Sequence, residues 1–213
     1  MSRYCYDKNE IIQKEDSIDD YKNLFSEYYK NCPTLNEALE QMFTSSGINV
    51  LQSMNLIAEV MVNVERIINI NFNRITIKYP DITKEDAEII SSITCEFFLM
   101  GYSPYKILNI NLMKDDRLSG IKNISKYLFL LLSSLRKLKK YTPNGAQKVL
   151  YLCIKTNVKL EDTTNPNNSF KKGNKIIFWG FTSVTDDLGK AEELLMTKRG
   201  KKEGTILILK GDV

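Results

Sequence analysis

The sequence changes its period at Pro143-Asn144-Gly145, and no other feature constrains the fold as much. Before this point, apolar residues recur every three or four positions between capping residues, the spacing of amphipathic helices. After it, apolar residues come in short runs bounded by polar loops, the pattern of strands. Neither βαβ alternation nor an internal repeat is present. The expected class is α+β, a helical lobe followed by the start of a β core.

Six segments of the first part read as helices. "SIDDYKNLFSEYYKN" opens with Ser17 and Asp20, a cap pattern. "TLNEALEQMF" opens with Thr34 and Glu37 at capping-box spacing, and Gly47 suits its far end. The next segment carries a stripe at Leu51, Met54, Ile57, Ala58, Met61, Val64, Ile67 and Ile68, expected to face a domain core. "TKEDAEIISSITCEFFLMG" is expected to run from Thr83 and Asp86 to Gly101, and "PYKILNINLM" is a short helix. "IKNISKYLFLLLSSLRKLKK" reads as one long buried helix whose basic last turn suits its dipole.

Beyond the break, residues 146–156 read as a strand and 161–174 as a polar loop. "KIIFWGFTSV" reads as a strand interrupted at Gly180, "DLGKAEELLM" as a helix and "GTILILKGDV" as a strand. Thr205–Leu209 is apolar on both faces, as expected of an interior strand. Such a strand needs two neighbours. Either an earlier strand covers its second edge or the sheet is incomplete, and then a partner chain completes it by strand addition.

Composition removes several chemistries. The 213 residues are 43% hydrophobic, enough for a core. A net charge of +4 with interspersed signs argues against nucleic acid. The basic runs at 136–140 and 198–202 read as solvated surface. The chain has no histidine, which excludes Ser-His and Cys-His pairs and imidazole zinc sites. Cys5, Cys32, Cys95 and Cys153 form no Cys-x-x-Cys pair, so no metal site is expected. Cys95 and Cys153 read as small buried hydrophobes, and a reduced, cytoplasmic protein follows. The N-terminus has no apolar signal core, and "YLFLLL" is too short to span a bilayer.

From about Thr83 onward the motifs resemble, in order and spacing, the Arg–Ser–Glu class of mono-ADP-ribosyltransferases. Thr94 and "YKILN" (Tyr105 to Asn109) match a threonine-bearing helix and a Y-x-x-L-N segment. "SSLRKLKKYTP", "VLYLC", Gly173, "FWGFTSVT", "AEELL" and "TILIL" match the rest. The resemblance implies that residues 34–213 form one such domain, with its helical lobe at 34–142 and a partial β core at 146–213. Residues 1–33 would be a helical extension outside it. It also implies NAD as substrate and transfer of ADP-ribose to a protein arginine. In such chemistry a fixed carboxylate stabilises positive charge developing on the ribose.

Carried over residue by residue, Ser183 takes the first serine of the family's Ser-x-Ser motif, the one position in this chain assigned to the catalytic set. Thr185 takes the third position. In a regular strand both share a face with Phe181 and Trp179, which suits a ribose and a flat base. The alternative is a Ser-Thr turn capping the helix that starts near Asp186. Leu152 and Cys153 stand where the family has the Arg and Gly that hold the NAD phosphates, so the cofactor-binding set is Leu152, Cys153, Phe181, Ser183 and Thr185. Leucine holds no pyrophosphate, and losing those bonds weakens NAD binding roughly tenfold or more. The Glu-x-Glu that follows the "TLFII"-like strand in the family has no counterpart after "TILIL". The resemblance therefore implies a degenerate or truncated member without turnover. Two alternatives stand beside it: a non-catalytic helical interaction module, and one part of an enzyme completed by further strands.

Overall fold

The computed structural model describes residues 23–95, 102–138, 148–154, 180–196 and 203–211. The Ser17 cap, the break at 143–145, the loop at 161–174 with Gly173, residues 175–179 with Trp179, and the basic run at 198–202 lie outside them. The described residues are mostly helical with one small two-stranded antiparallel sheet, an α+β composition. They fall into two compact units, within Glu15–Lys139 and Lys140–Val213.

Six helices build the first unit: α1 (Leu35–Thr44), α2 (Val50–Lys78), α3 (Lys84–Ser92), α4 (Pro104–Leu112), α5 (Arg117–Asn123) and α6 (Ser125–Lys137). Their N-termini follow local chemistry. Thr34 with Glu37, and Thr83 with Asp86, form complete capping boxes. Asn49 caps α2, and Ser103 with Pro104 at the first helical position starts α4. Past α1, Gly47 turns at φ 85°, its N–H bonding Thr44 and that of Ile48 bonding Phe43. This left-handed closure needs glycine. Helix α2 stops at Tyr79 (φ −133°, ψ 81°), the residue before Pro80, where the helical conformation is disfavoured.

The core forms where α1 meets α2 and α6. Leu39, Met42 and Phe43 of α1 are fully buried, as are Val60 of α2 and Tyr127 of α6. Burying such side chains stabilises the unit by roughly 1.5–3 kcal/mol each. Burial pushes the Tyr127 phenol up, a shift only partly offset by its hydrogen bond with Ser92 at 2.7 Å. Phe25, Tyr28 and Tyr29 from the segment before α1 ring Phe129, with centroids 5.1–6.2 Å away.

Three helical expectations change. The expected single helix at 121–140 is two, broken at Ile124 (φ −124°, ψ 13°). The Gln41 amide fills the break: its Nε2 donates to Lys122 C=O, and its Oε1 accepts from Lys126 N–H. Groups orphaned at two helix ends are thus satisfied from α1. Helix α3 ends at Ser92 rather than Gly101. There Ser92 and Thr94 donate hydroxyls to Ile89 and Ser91, offering the backbone a local alternative to another turn. On α2 the buried stripe is Leu56, Val60, Val64 and Ile68, while Leu51 and Met54 of the expected stripe point outward.

Gly120 sets the approach of α5 to α4. A Cβ at this position would sit 2.1 Å from the backbone oxygen of Asn111. Gly120→Ala is expected to cost about 1–3 kcal/mol, read as a lower denaturation midpoint. An unchanged midpoint would contradict this close approach.

The second unit holds β1 (Lys148–Ile154), α7 (Leu188–Leu194) and β2 (Thr205–Gly211). The strands pair antiparallel, with Leu150 opposite Leu209 and Leu152 opposite Leu207. Thr185 pairs with Tyr151 on the other edge of β1 through bonds of 2.7 and 3.1 Å. The central strand is therefore β1. Thr205–Leu209, expected as interior, has a neighbour on one edge among the described residues, and Ile208 is 58% exposed. A strand paired on one edge leaves alternate side chains half covered.

Candidate functional site

The candidate residues converge on the edge of β1 that faces Thr185. A single antiparallel bridge joins Tyr151 to Thr185, with Cys153 and Ser183 each two residues from it along their own segments. The matched segments "VLYLC" and "FTSVT" thus touch at one bridge. Helix α7 adjoins them: the Cys153 thiol donates to the Ala191 carbonyl at 3.2 Å, and Ala191 is fully buried.

The local backbone differs from the expected strand. Residues 181–184 have no regular strand structure, and only Thr185 makes a bridge. On the C-terminal side of Thr185, local side-chain bonds end the pairing. Thr185 Oγ1 accepts from Asp187 N–H at 3.2 Å, and Asp187 Oδ1 accepts from Lys190 N–H at 3.2 Å to start α7. These two side-chain turns bend the chain away from the strand direction within three residues. The Ser-Thr turn considered as an alternative is therefore present, but Thr185 makes it and Asp187 makes the cap.

The five cofactor-binding candidates separate into two groups. Cys153 and Thr185 are part-buried, Phe181 is half-buried, and Ser183 is exposed, all at or beside the shared edge. Leu152 is 6% exposed, and its neighbours in the strand alternate to the opposite face. It packs as core. The structure therefore brings Thr185 to the Tyr151 edge of β1, while Leu152 packs as core on the face opposite Cys153. Trp179 lies outside the described residues.

Other carboxylates nearby have their own structural settings. Asp187 is taken by the cap, and Glu192 and Glu193 ride on α7. In the helical unit, Thr94 is exposed after α3, while Ile107, Leu108 and Asn109 of "YKILN" are buried in α4. Among the described residues no group of three His, Cys, Asp or Glu side chains is placed to hold a metal ion. No described helix is long and apolar enough to cross a membrane. Burial pushes the Cys95 thiol up, which makes it a poor nucleophile.

The turn at Thr185-Asp186-Asp187 is the form taken by the alternative expected from the sequence, which did not show which hydroxyl makes it. The spacing of Thr185 and Asp187 before an amphipathic segment was its only available signal. Compared with protein-family models, curated proteins and solved structures, the chain matches none.

Proposed function

We propose that the chain is a degenerate ADP-ribosyltransferase-like domain, with NAD as its ligand and without turnover. One observation carries the reading: Thr185 pairs with Tyr151, so the two motif segments that flank NAD in the resembled family meet at one bridge here. Ser183 is exposed two residues before that bridge, and its hydroxyl and that of Thr185 are the groups proposed to meet a ribose. Position 152 offers the phosphates of such a ligand no cation, and its leucine is buried in the core. The proposed location is the cytoplasm, in keeping with unpaired thiols at Cys32, Cys95 and Cys153.

Trp179, the chain's only tryptophan, reports on this reading. Titration with NAD is expected to change its fluorescence saturably in the high micromolar to millimolar range, and Ser183→Ala is expected to abolish the change. No response from folded chain at millimolar NAD would overturn the reading. A second reading, a helical interaction module with no NAD cleft, is favoured by the outward face of α2, where Leu51 and Val62 stand exposed. It requires the titration to be silent.

A further inference from the structure

Helix α6 is held in two different ways along its length. Tyr127, Leu128, Phe129, Leu130 and Leu131 are all buried, and apolar packing fixes this part. The last turn, Ser134 to Lys137, has no such anchor. Its apolar side chain, Leu135, is only half-buried, and Arg136 and Lys137 are exposed. The sequence supplies no stop signal either. Leu138, Lys139 and Lys140 are good helix formers, and the next glycine is Gly145. Yet the helix ends at Lys137, short of the expected residue 140, and Leu138 is extended (φ −69°, ψ 128°). A terminal turn with little burial and no capping glycine frays unless something else tethers it.

Asp86 is that tether. Its side chain is 7% exposed and is fixed from its own helix, where Thr83 donates from its N–H and its hydroxyl. Two further donors come from the last turn of α6. The Ser134 hydroxyl donates to Asp86 Oδ1, and Lys137 Nζ donates to both carboxylate oxygens. Residues three apart share one face of a helix, so both grips fall on the side that meets α3. Ser134 is 1% exposed, an inner grip. The Lys137 side chain is 44% exposed, so the outer grip stands at the solvent boundary, where it can open without opening the core.

The place of this clamp along the chain gives it a consequence. The helical unit runs to Lys139, and the second unit takes up the chain at Lys140. The clamp therefore closes on α6 just before the chain passes from one unit to the other.

We propose that Asp86, Ser134 and Lys137 form a latch on the connection between the two units. Closed, it fixes the exit point of the helical unit at the end of α6. Open, it releases the last turn into the connecting segment. Four residues that rise about 6 Å as helix span up to roughly 14 Å when extended, so the opening lengthens the connection. The latch works independently of the β1 margin and of NAD.

Amide hydrogen exchange of the full chain, read residue by residue at low denaturant, is the test. In the wild type, the amides of Leu135 to Leu138 are expected to exchange faster than those of Leu128 to Leu131. Their opening is expected to be insensitive to denaturant, because it exposes little surface. Lys137→Met and Ser134→Ala each remove one grip, and both new residues are good helix formers, so propensity does not open the turn. Each is expected to speed exchange of the last turn roughly tenfold, with the opening still local. The same rates and the same denaturant dependence in both stretches of the wild type would overturn the proposal, because the turn would then open only with the core. So would variants whose last turn exchanges at the wild-type rate.

Discussion

Leu152→Arg lowers the stability of the β1–β2 unit by about 3–5 kcal/mol and brings no gain in NAD binding. The substitution restores the family's arginine on paper. In the fold it places a guanidinium where Leu152 is 6% exposed and paired with Leu207. A buried charge without a partner retains most of its desolvation penalty. The side chain also emerges on the face opposite Cys153, away from the margin shared with Thr185. Chemical denaturation followed by β-sheet circular dichroism gives the stability, and NAD titration of Trp179 fluorescence gives the binding. A variant with an unchanged midpoint and a tighter NAD response would show that position 152 faces a phosphate site after all. Leu152→Met is the control. It conserves volume, and it should cost less than 1.5 kcal/mol.

That contrast shows which links run from sequence to site. The two hydroxyls at Ser183 and Thr185 were legible as a pair, because motif spacing survives without a structure. Their geometry was not, because the Thr185 hydroxyl accepts from the Asp187 N–H and the chain turns there after one bridge. The resemblance put Leu152 and Cys153 in one binding set, but strand neighbours face opposite ways, and which face packs as core depends on residues remote in sequence. In the helical unit, the capping boxes at Thr34 and Thr83 were readable, since donor and acceptor lie three residues apart. The break at Ile124 was not, since the group that satisfies it is Gln41, more than 80 residues earlier. Helix α2 misled for a different reason. Apolar residues on both its sides blur into one broad period, and burial alone separates Val64 and Ile68 from Leu51 and Met54.

Asp86 shows how a readable local motif acquires a second, distant role, and removing it is the other large effect. As the partner of Thr83 it closes the capping box, accepting from the backbone N–H at 3.0 Å and from the hydroxyl at 2.7 Å. The same carboxylate accepts from Ser134 at 3.0 Å and from Lys137 Nζ at 2.7 and 2.9 Å, tying α3 to α6. Burial pushes this carboxyl up, but the bonds from Lys137, Thr83 and Ser134 outweigh it and hold the group at about 2, below its ordinary 3.8. Asp86→Ala removes the cap and leaves the buried Ser134 hydroxyl without this acceptor, at a cost of about 3 kcal/mol. The pH dependence has a definite sign. A depressed carboxylate stabilises the fold fully above its unfolded value and loses that contribution as pH falls through its folded value. The window therefore runs from just above pH 3.8 down to about 2, and the loss across it is on the order of 2 kcal/mol. Denaturation midpoints of the helical signal should fall across this window in the wild type and flatten there in Asp86→Asn. Parallel profiles for the two proteins would mean that neither the Thr83 cap nor the bonds from Lys137 and Ser134 depress this carboxyl. A flattened profile would identify Asp86, which takes part in both the start of α3 and its packing on α6, as the carboxylate that titrates in this window.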